Sequence, residues 1–410
     1  MTAARSSRGK ASAALKPPGR GPAAAIAGAE ITGLGVARPA SVPIAKNPVR
    51  SAPRPGDQGI AAHTDPILVT GASGFTGGHL ARRLLSQGHA VRVLVRDDPR
   101  ADALEAEGFE VVRGDLLDAE AIDRAVRGTR LVYHIAALFR PNKDTDDMFR
   151  AVNRDAVGVL LESARTHGIE RFVHCSTCGV HGAPKNVPTD ETEPFRPADI
   201  YQQTKLEGEL LVQEAGKQGQ PISIVRPGSI FGEGDTRFVK FLKPIRNGTF
   251  RMFGPGTARF HLTHVDDLVD GFLLCGEKDA ALGEVFIIAG PEYVTIWELV
   301  RKAAEAMGVE PPKGSLPLTP LLVAATIMEF AFKPFDVTPP LYRRRCHFFY
   351  HDRGWITKKA QDMLGYRPRV SVLEGFRRTA QWYVEQGYIQ PTELLSEMRE
   401  TPQPAGASAG

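Results

Sequence analysis

Four cysteines in 410 residues, Cys175, Cys178, Cys275 and Cys346, are too few and too scattered for a disulfide framework. Their scarcity points to a reducing compartment, the cytoplasm by default. Cys175 and Cys178 have CxxC spacing, but no second Cys/His pair follows at zinc spacing, so no metal site is expected. Long apolar runs are also missing. None reaches the roughly 20 residues needed to span a bilayer, and none near the start resembles the apolar region of a signal peptide. A basic excess is missing from the fold. Net charge is +4, but residues 1–64 hold nine Lys or Arg against Glu30 and Asp57, so everything after them is net acidic by about three charges. A nucleic-acid-binding core is therefore not expected.

What is present is a globular composition, 42% hydrophobic and 24% charged, enough for a large core. Residues 1–64, rich in Ala, Pro, Gly and basic side chains, have no sustained apolar period and read as a disordered extension. Such an extension is either dispensable, with the true start downstream, or a targeting or interaction tail. From Asp65 onward, short apolar runs alternate with longer amphipathic segments: PILVT (66–70), AVRVLV (90–95), FEVVR (109–113), RLVYHI (130–135), RFVHC (171–175) and ISIVR (222–226). Unbroken Val/Ile/Leu runs imply strands buried on both faces, hence an α/β doubly wound (Rossmann) parallel sheet. The spacing predicts a cofactor-binding domain over 65–235. A smaller, mostly helical substrate-binding part follows over 236–390, interleaved with the sheet near 260–290 through FHLTHV (260–265) and EVFIIA (284–289), and a flexible tail covers 391–410.

The first strand runs directly into GASGFTGG, with Gly71, Ser73, Gly74, Phe75, Thr76 and Gly77 between a strand and an amphipathic helix. Gly71 permits the tight turn, Gly74 lets backbone approach a pyrophosphate, and Gly77 lets the helix pack close, with phosphate at the helix N-terminus. At the end of the second strand, where an acid would hold an adenosine ribose, stands Arg96. A guanidinium there suits a 2′-phosphate and favours NADP over NAD. Asp97 would serve the ribose instead if the strand ended one residue later. Asp115 and Leu116 in GDLLD, and Ala136 and Ala137 in HIAA, would line the cofactor.

YQQTK puts Tyr201 and Lys205 four apart, on one helical face. An ammonium beside the phenol is expected to lower its pKa and make Tyr201 a general acid/base. Thr177 follows the strand RFVHC, at a sheet edge where such folds bind ligands, and its hydroxyl can hold a substrate oxygen.

These motifs together resemble the extended short-chain dehydrogenase/reductases of the NAD-dependent epimerase/dehydratase group, over about residues 66–390. The likeness extends to Asn153 in AVNRDAV, to CSTCGVHG, RPGSIFGEGD, THVDDL and LGYRP. It implies that Pro227, Gly228, Ser229 and Ile230 pack against nicotinamide, that Thr177 and Tyr201 flank the substrate, and that Lys205 holds the nicotinamide ribose. It also implies a homodimer built on the helices around Asn153 and Tyr201. Asn153 is either a relay or a buried structural amide.

Departures from the group narrow the reaction. Its 4,6-dehydratases carry Asp and Glu after the catalytic Thr, where this chain has Cys178 and Gly179, so dehydration is not expected. Its sugar-nucleotide epimerases carry a diphosphate-gripping Arg four residues before the His264-Val-Asp step. Here that position is Phe260, and the adjacent Arg259 should point to the other face of a strand. The apolar run 318–335 reads either as a helix packed over the cleft or core, or as a lid touching a membrane surface and admitting a lipophilic substrate. The tail resembles those of 3β-hydroxysteroid dehydrogenases, sterol C4-decarboxylating enzymes and dihydroflavonol-reductase-like proteins. The expected activity is NAD(P)-dependent interconversion of a secondary alcohol and a ketone on a hydrophobic sterol-like or terpenoid ring. A nucleotide-sugar epimerase recycling its NAD stands second, and a non-catalytic NADP-binding redox sensor third.

Overall fold

The computed structural model describes residues 65–139, 145–332 and 339–400; the expectation of disorder over 1–64 falls outside them. Strands β1 (Ile67–Thr70), β2 (Val91–Val95), β3 (Glu110–Arg113), β4 (Leu131–His134), β5 (Arg171–Cys175), β6 (Ile222–Pro227) and β7 (Val285–Ile288) form one sheet. Its order is β7-β6-β5-β4-β1-β2-β3, and every pairing is parallel. Alternation along each strand feeds two cores. Ile67, Val69, Val91, Val93 and Val95 face one helical layer, while Leu68 and Leu94 face the other. Strand β3 departs from the expectation of two buried faces. It is the sheet's edge, with Glu110 and Arg113 exposed.

Strand order reverses between β1 and β4, and the crevice at such a switch point receives ligands. Helix α1 (Phe75–Ser86) leaves β1 and buries Leu80, Ala81 and Leu84 on the sheet. Helix α2 (Ala156–Thr166) and helix α3 (Ile200–Lys217) lie on the opposite layer with Val157, Leu160 and Val212.

The C-terminal part adds strand Arg259–His264 between Ser229–Phe231 and Tyr293–Thr295, under a separate core that includes Phe231, Phe260, Leu299 and Phe376. Two expectations fail there. Helix α4 (Leu318–Phe332) is packed over neither cleft nor core: only Ala325 is buried, because its apolar residues run all round and offer no single face to seat. The tail is not free from residue 391. Thr392 accepts the Leu395 N–H and donates to the Met307 carbonyl, starting helix α6 (Glu393–Glu400), and Leu395 is fully buried beside helix α5 (Val372–Glu385).

Candidate active site

Gly71 adopts a left-handed backbone (φ +78°), and a Cβ there would stand 2.8 Å from the Ala136 nitrogen. The loops after β1 and β4 therefore close on each other. Ala136 is further tied down by its N–H on the Thr70 hydroxyl. A Cβ on Gly77 would lie 2.3 Å from the Gly71 carbonyl oxygen, so α1 rests directly on the turn. Gly74, the N-cap, supplies no side-chain hydrogen bond and the first turn holds no acid. The first N–H groups of α1 thus keep their positive end open to an anion, and the glycine cradle fits a dinucleotide pyrophosphate. Ser73, Phe75 and Thr76 are partly exposed around this turn.

The second strand ends at Val95, so Arg96 is the first residue past it, exposed and without a hydrogen bond or ion pair among the described residues. Asp97 is committed to Arg113 at 2.9 Å. Asp115 accepts the Leu117 N–H with one oxygen; Leu116 is half-buried and Ala137 exposed.

Thr177 sits in extended backbone beyond β5 and accepts the Gly179 N–H at 3.0 Å, with its side chain close enough to the Tyr201 phenol to pull that group's pKa down. Tyr201 is in the first turn of α3, which Asp199 caps at the Gln202 N–H. Phe139, in the loop after β4, meets the Tyr201 ring edge-on at 4.8 Å and so joins the cofactor loops to α3. One turn further on, Lys205 is 1% exposed, and its Nζ has no hydrogen-bond partner among the described residues. An unsatisfied buried ammonium is costly, and ribose hydroxyls are a fitting partner for it.

The phenol is not lowered as expected. Burial pushes Tyr201 up, with Cys175 adding to it, and only Arg237 and Thr177 pull against it. Burial also lowers Lys205. Withdrawal from water shifts both equilibria toward the neutral form.

The profile of the NAD dependent epimerase/dehydratase family matches residues 67–289, over half the chain. The chain belongs to this family. Among similar proteins are a 4-hydroxy-2-methyl-3-oxo-4-farnesyl-3,4-dihydroquinoline-1-oxide ketoreductase of Stigmatella aurantiaca, 30% identical over 75% of this chain and 93% of that protein. Another is a 3 beta-hydroxysteroid dehydrogenase/Delta 5→4-isomerase of Mycobacterium tuberculosis, 29% identical over 81% of this chain and 94% of that one. The solved UDP-glucuronic acid 4-epimerase of Bacillus cereus, in complex with NAD, superposes with a TM-score of 0.62 at 25% identity, covering 79% of this chain and all of that one. This epimerase/dehydratase family member is thus an NAD(P)-dependent dehydrogenase/reductase of the extended short-chain type.

Residues behind the site had not been singled out in the sequence. Glu209, fully buried one turn past Lys205, accepts from the Ser176 hydroxyl, from Gln213 and from Arg226, whose Nε lies 3.1 Å from Oε2. Arg226, next to last in β6, also meets His181 Nε2 at 3.0 Å. The pair fastens the Thr177 loop to α3. His134 and His174, register partners on β4 and β5, stack at 5.5 Å beneath Lys205; burial holds both imidazoles neutral, with His134 lowered to about 3. The period-four acid after Lys205 was the available signal for Glu209.

Asn153 lies in a π turn, Ala151–Asp155, and clasps Leu138 through both N–H and carbonyl while donating to Thr204. Its amide is fully used in structure. Past Pro227, Gly228 has no room for a Cβ, which would stand 2.8 Å from the Thr263 hydroxyl. Ser229 and Ile230 are half-buried, and Arg237 holds the Ile230 carbonyl at 2.8 Å. Cys178 is buried with its thiol on the Arg226 carbonyl, and a Cβ on Gly179 would already be 3.2 Å from the Thr177 hydroxyl. Phe260 is buried against Phe348, while Arg259 lies over Tyr293 on the other face.

Proposed function

We propose that this protein interconverts a secondary alcohol and a ketone on a hydrophobic, sterol-like or terpenoid ring. The observation that carries it is the Tyr201 phenol beside the Thr177 loop, one helical turn from the buried Lys205, whose Nζ has no hydrogen-bond partner among the described residues. Bound nicotinamide supplies or accepts the hydride. Thr177 holds the substrate oxygen in place beside the phenol. Tyr201, kept protonated by burial, rests in the donating form, gives its proton to the carbonyl oxygen during reduction and recovers it during oxidation. Lys205 holds the nicotinamide ribose, and its charge, once held there, favours the phenolate that oxidation requires. With all three residues in place, a purely sensory role has little to support it.

Phe260 and its aromatic neighbours favour an apolar substrate, as do the steroid and the farnesylated ring in two relatives' names. The nucleotide-sugar reading has one observation on its side: Arg353 lies 5.1 Å over the Phe260 ring, bringing a guanidinium near the family's diphosphate-gripping position. Purified protein assayed with NAD(P) and NAD(P)H against sterol, terpenoid and UDP-sugar panels separates them. Net conversion of the nicotinamide on a lipophilic alcohol or ketone is expected; sugar turnover without net cofactor consumption would overturn the proposal.

Arg96, free where Asp97 is engaged, favours NADP. Exposed Leu210 and Leu211 on α3, with Met148 nearby in sequence to Asn153, favour a homodimer through that face. Four free thiols suit the cytoplasm, and a lipophilic substrate places the enzyme at a membrane surface there.

A further inference from the structure

Helix α4 is left almost bare by the chain that carries it. Val323, Ile327 and Phe330 are exposed at 52, 61 and 81%, and a shallow groove along the helix is lined by Leu322, Val323, Thr326, Ile327 and Arg343. A helix that is apolar all round needs a cover. Charge distinguishes the possible covers. Residues 311–346 hold Lys313, Lys333, Arg343, Arg344 and Arg345 against Glu329 and Asp336, an excess of three on a sequence that is otherwise acidic by six beyond residue 64. Arg343 lines the groove and Arg345 is exposed beside it. A second copy would set this basic island against itself, and the first 64 residues, at +7, repel it as well.

We propose that α4 docks on an anionic phospholipid surface, with Val323, Ile327 and Phe330 among the acyl chains and Arg343 and Arg345 at the phosphates. At about 1.5 Å per residue its 15 residues span about 22 Å, less than the roughly 30 Å hydrocarbon core, so it lies in the interface. Among the described residues no helix is long and apolar enough to cross. The inference rests on the lipophilic-substrate reading only for its purpose, which is delivery of the substrate without passage through water. Its test uses no substrate.

The full chain is sedimented with phosphatidylcholine vesicles with and without phosphatidylglycerol, at low and high salt. Binding to the anionic vesicles is expected, roughly tenfold or more weaker on phosphatidylcholine alone and at high salt. The double variant Ile327→Glu/Phe330→Glu should lose binding more than about tenfold while melting like the parent, since both side chains are exposed. Arg343→Glu/Arg345→Glu should abolish the preference for anionic lipid. Absence of binding by the parent chain, equal binding to both vesicles, or unchanged binding by the apolar double variant overturns the proposal. So does self-association that the same double variant abolishes, because that assigns the helix to a second copy.

Discussion

Tyr201 and Arg96 mark the two ends of the proposed chemistry, and each can be removed without disturbing the core. Tyr201→Phe deletes only the phenol hydroxyl beside Thr177 and keeps the ring that meets Phe139. Turnover should fall by about 10² to 10⁴, while cofactor affinity, measured by fluorescence titration, stays within about twofold. Arg96→Glu replaces an exposed, uncommitted guanidinium with a charge that repels a 2′-phosphate. NADP affinity should weaken by about 10- to 100-fold and NAD affinity little, which parallel titrations would show. Thr177, Tyr201 and Lys205 were legible in the sequence because their spacing is tied to particular elements, a strand end and one helical face. Glu209 and Arg226 were not. A charged residue in a string reads as solvent-facing, and only the packing of α3 on β6 brings this pair together out of water. The phenol's direction was misread for the same reason: sequence supplies the neighbouring charge but not the burial that opposes it.

The join between β1 and α1 works as a unit because its glycines touch one another. Gly77→Ala would press a methyl to 2.3 Å from the Gly71 carbonyl and lift the helix off the turn. Cofactor affinity should drop at least about tenfold, read by isothermal titration, since misplaced N–H groups no longer converge on the phosphates. Strands of four or more residues could be read directly, and all eight expected strands exist. The pieces of two or three residues at Ser229–Phe231, Met252–Phe253, Tyr293–Thr295 and Ser315–Leu316 could not, because so short a run has no period. Helix α6 escaped because one buried leucine, Leu395, holds it in place.

At the scale of the whole molecule, buried charges bind the cofactor half to the C-terminal part. Arg378 on α5 grips Glu233 at 2.6 Å and Asp266 at 2.7 Å, with His264 on Glu233 at 3.1 Å and Arg83 on Asp270 beside them. His264 and Arg378 hold the Glu233 carboxyl down from its usual 4.5 to about 2, against the burial that raises it. A depressed carboxyl stabilises above its unfolded pKa and loses that contribution as pH falls toward the folded one. The Tm should therefore decline between about pH 4.5 and 2, and Arg378→Met should lower it at neutral pH while flattening the decline. Sedimentation of Leu210→Glu/Leu211→Glu should return monomer if α3 carries the dimer face. The doubly wound layout was legible from the alternation of runs, whereas Arg378 reaches carboxylates more than a hundred positions away and leaves no local trace. Strand β7 carries a consequence of another kind. Because residues 285–288 complete the sheet beside β6, the cofactor half is not one stretch of chain. A single crossover near residue 235 between relatives would therefore seat one parent's β7 against the other parent's β6, placing the seam inside the sheet. A working chimaera needs two junctions, one on each side of β7, so new specificities in this fold are more readily reached by rebuilding loops than by shuffling halves.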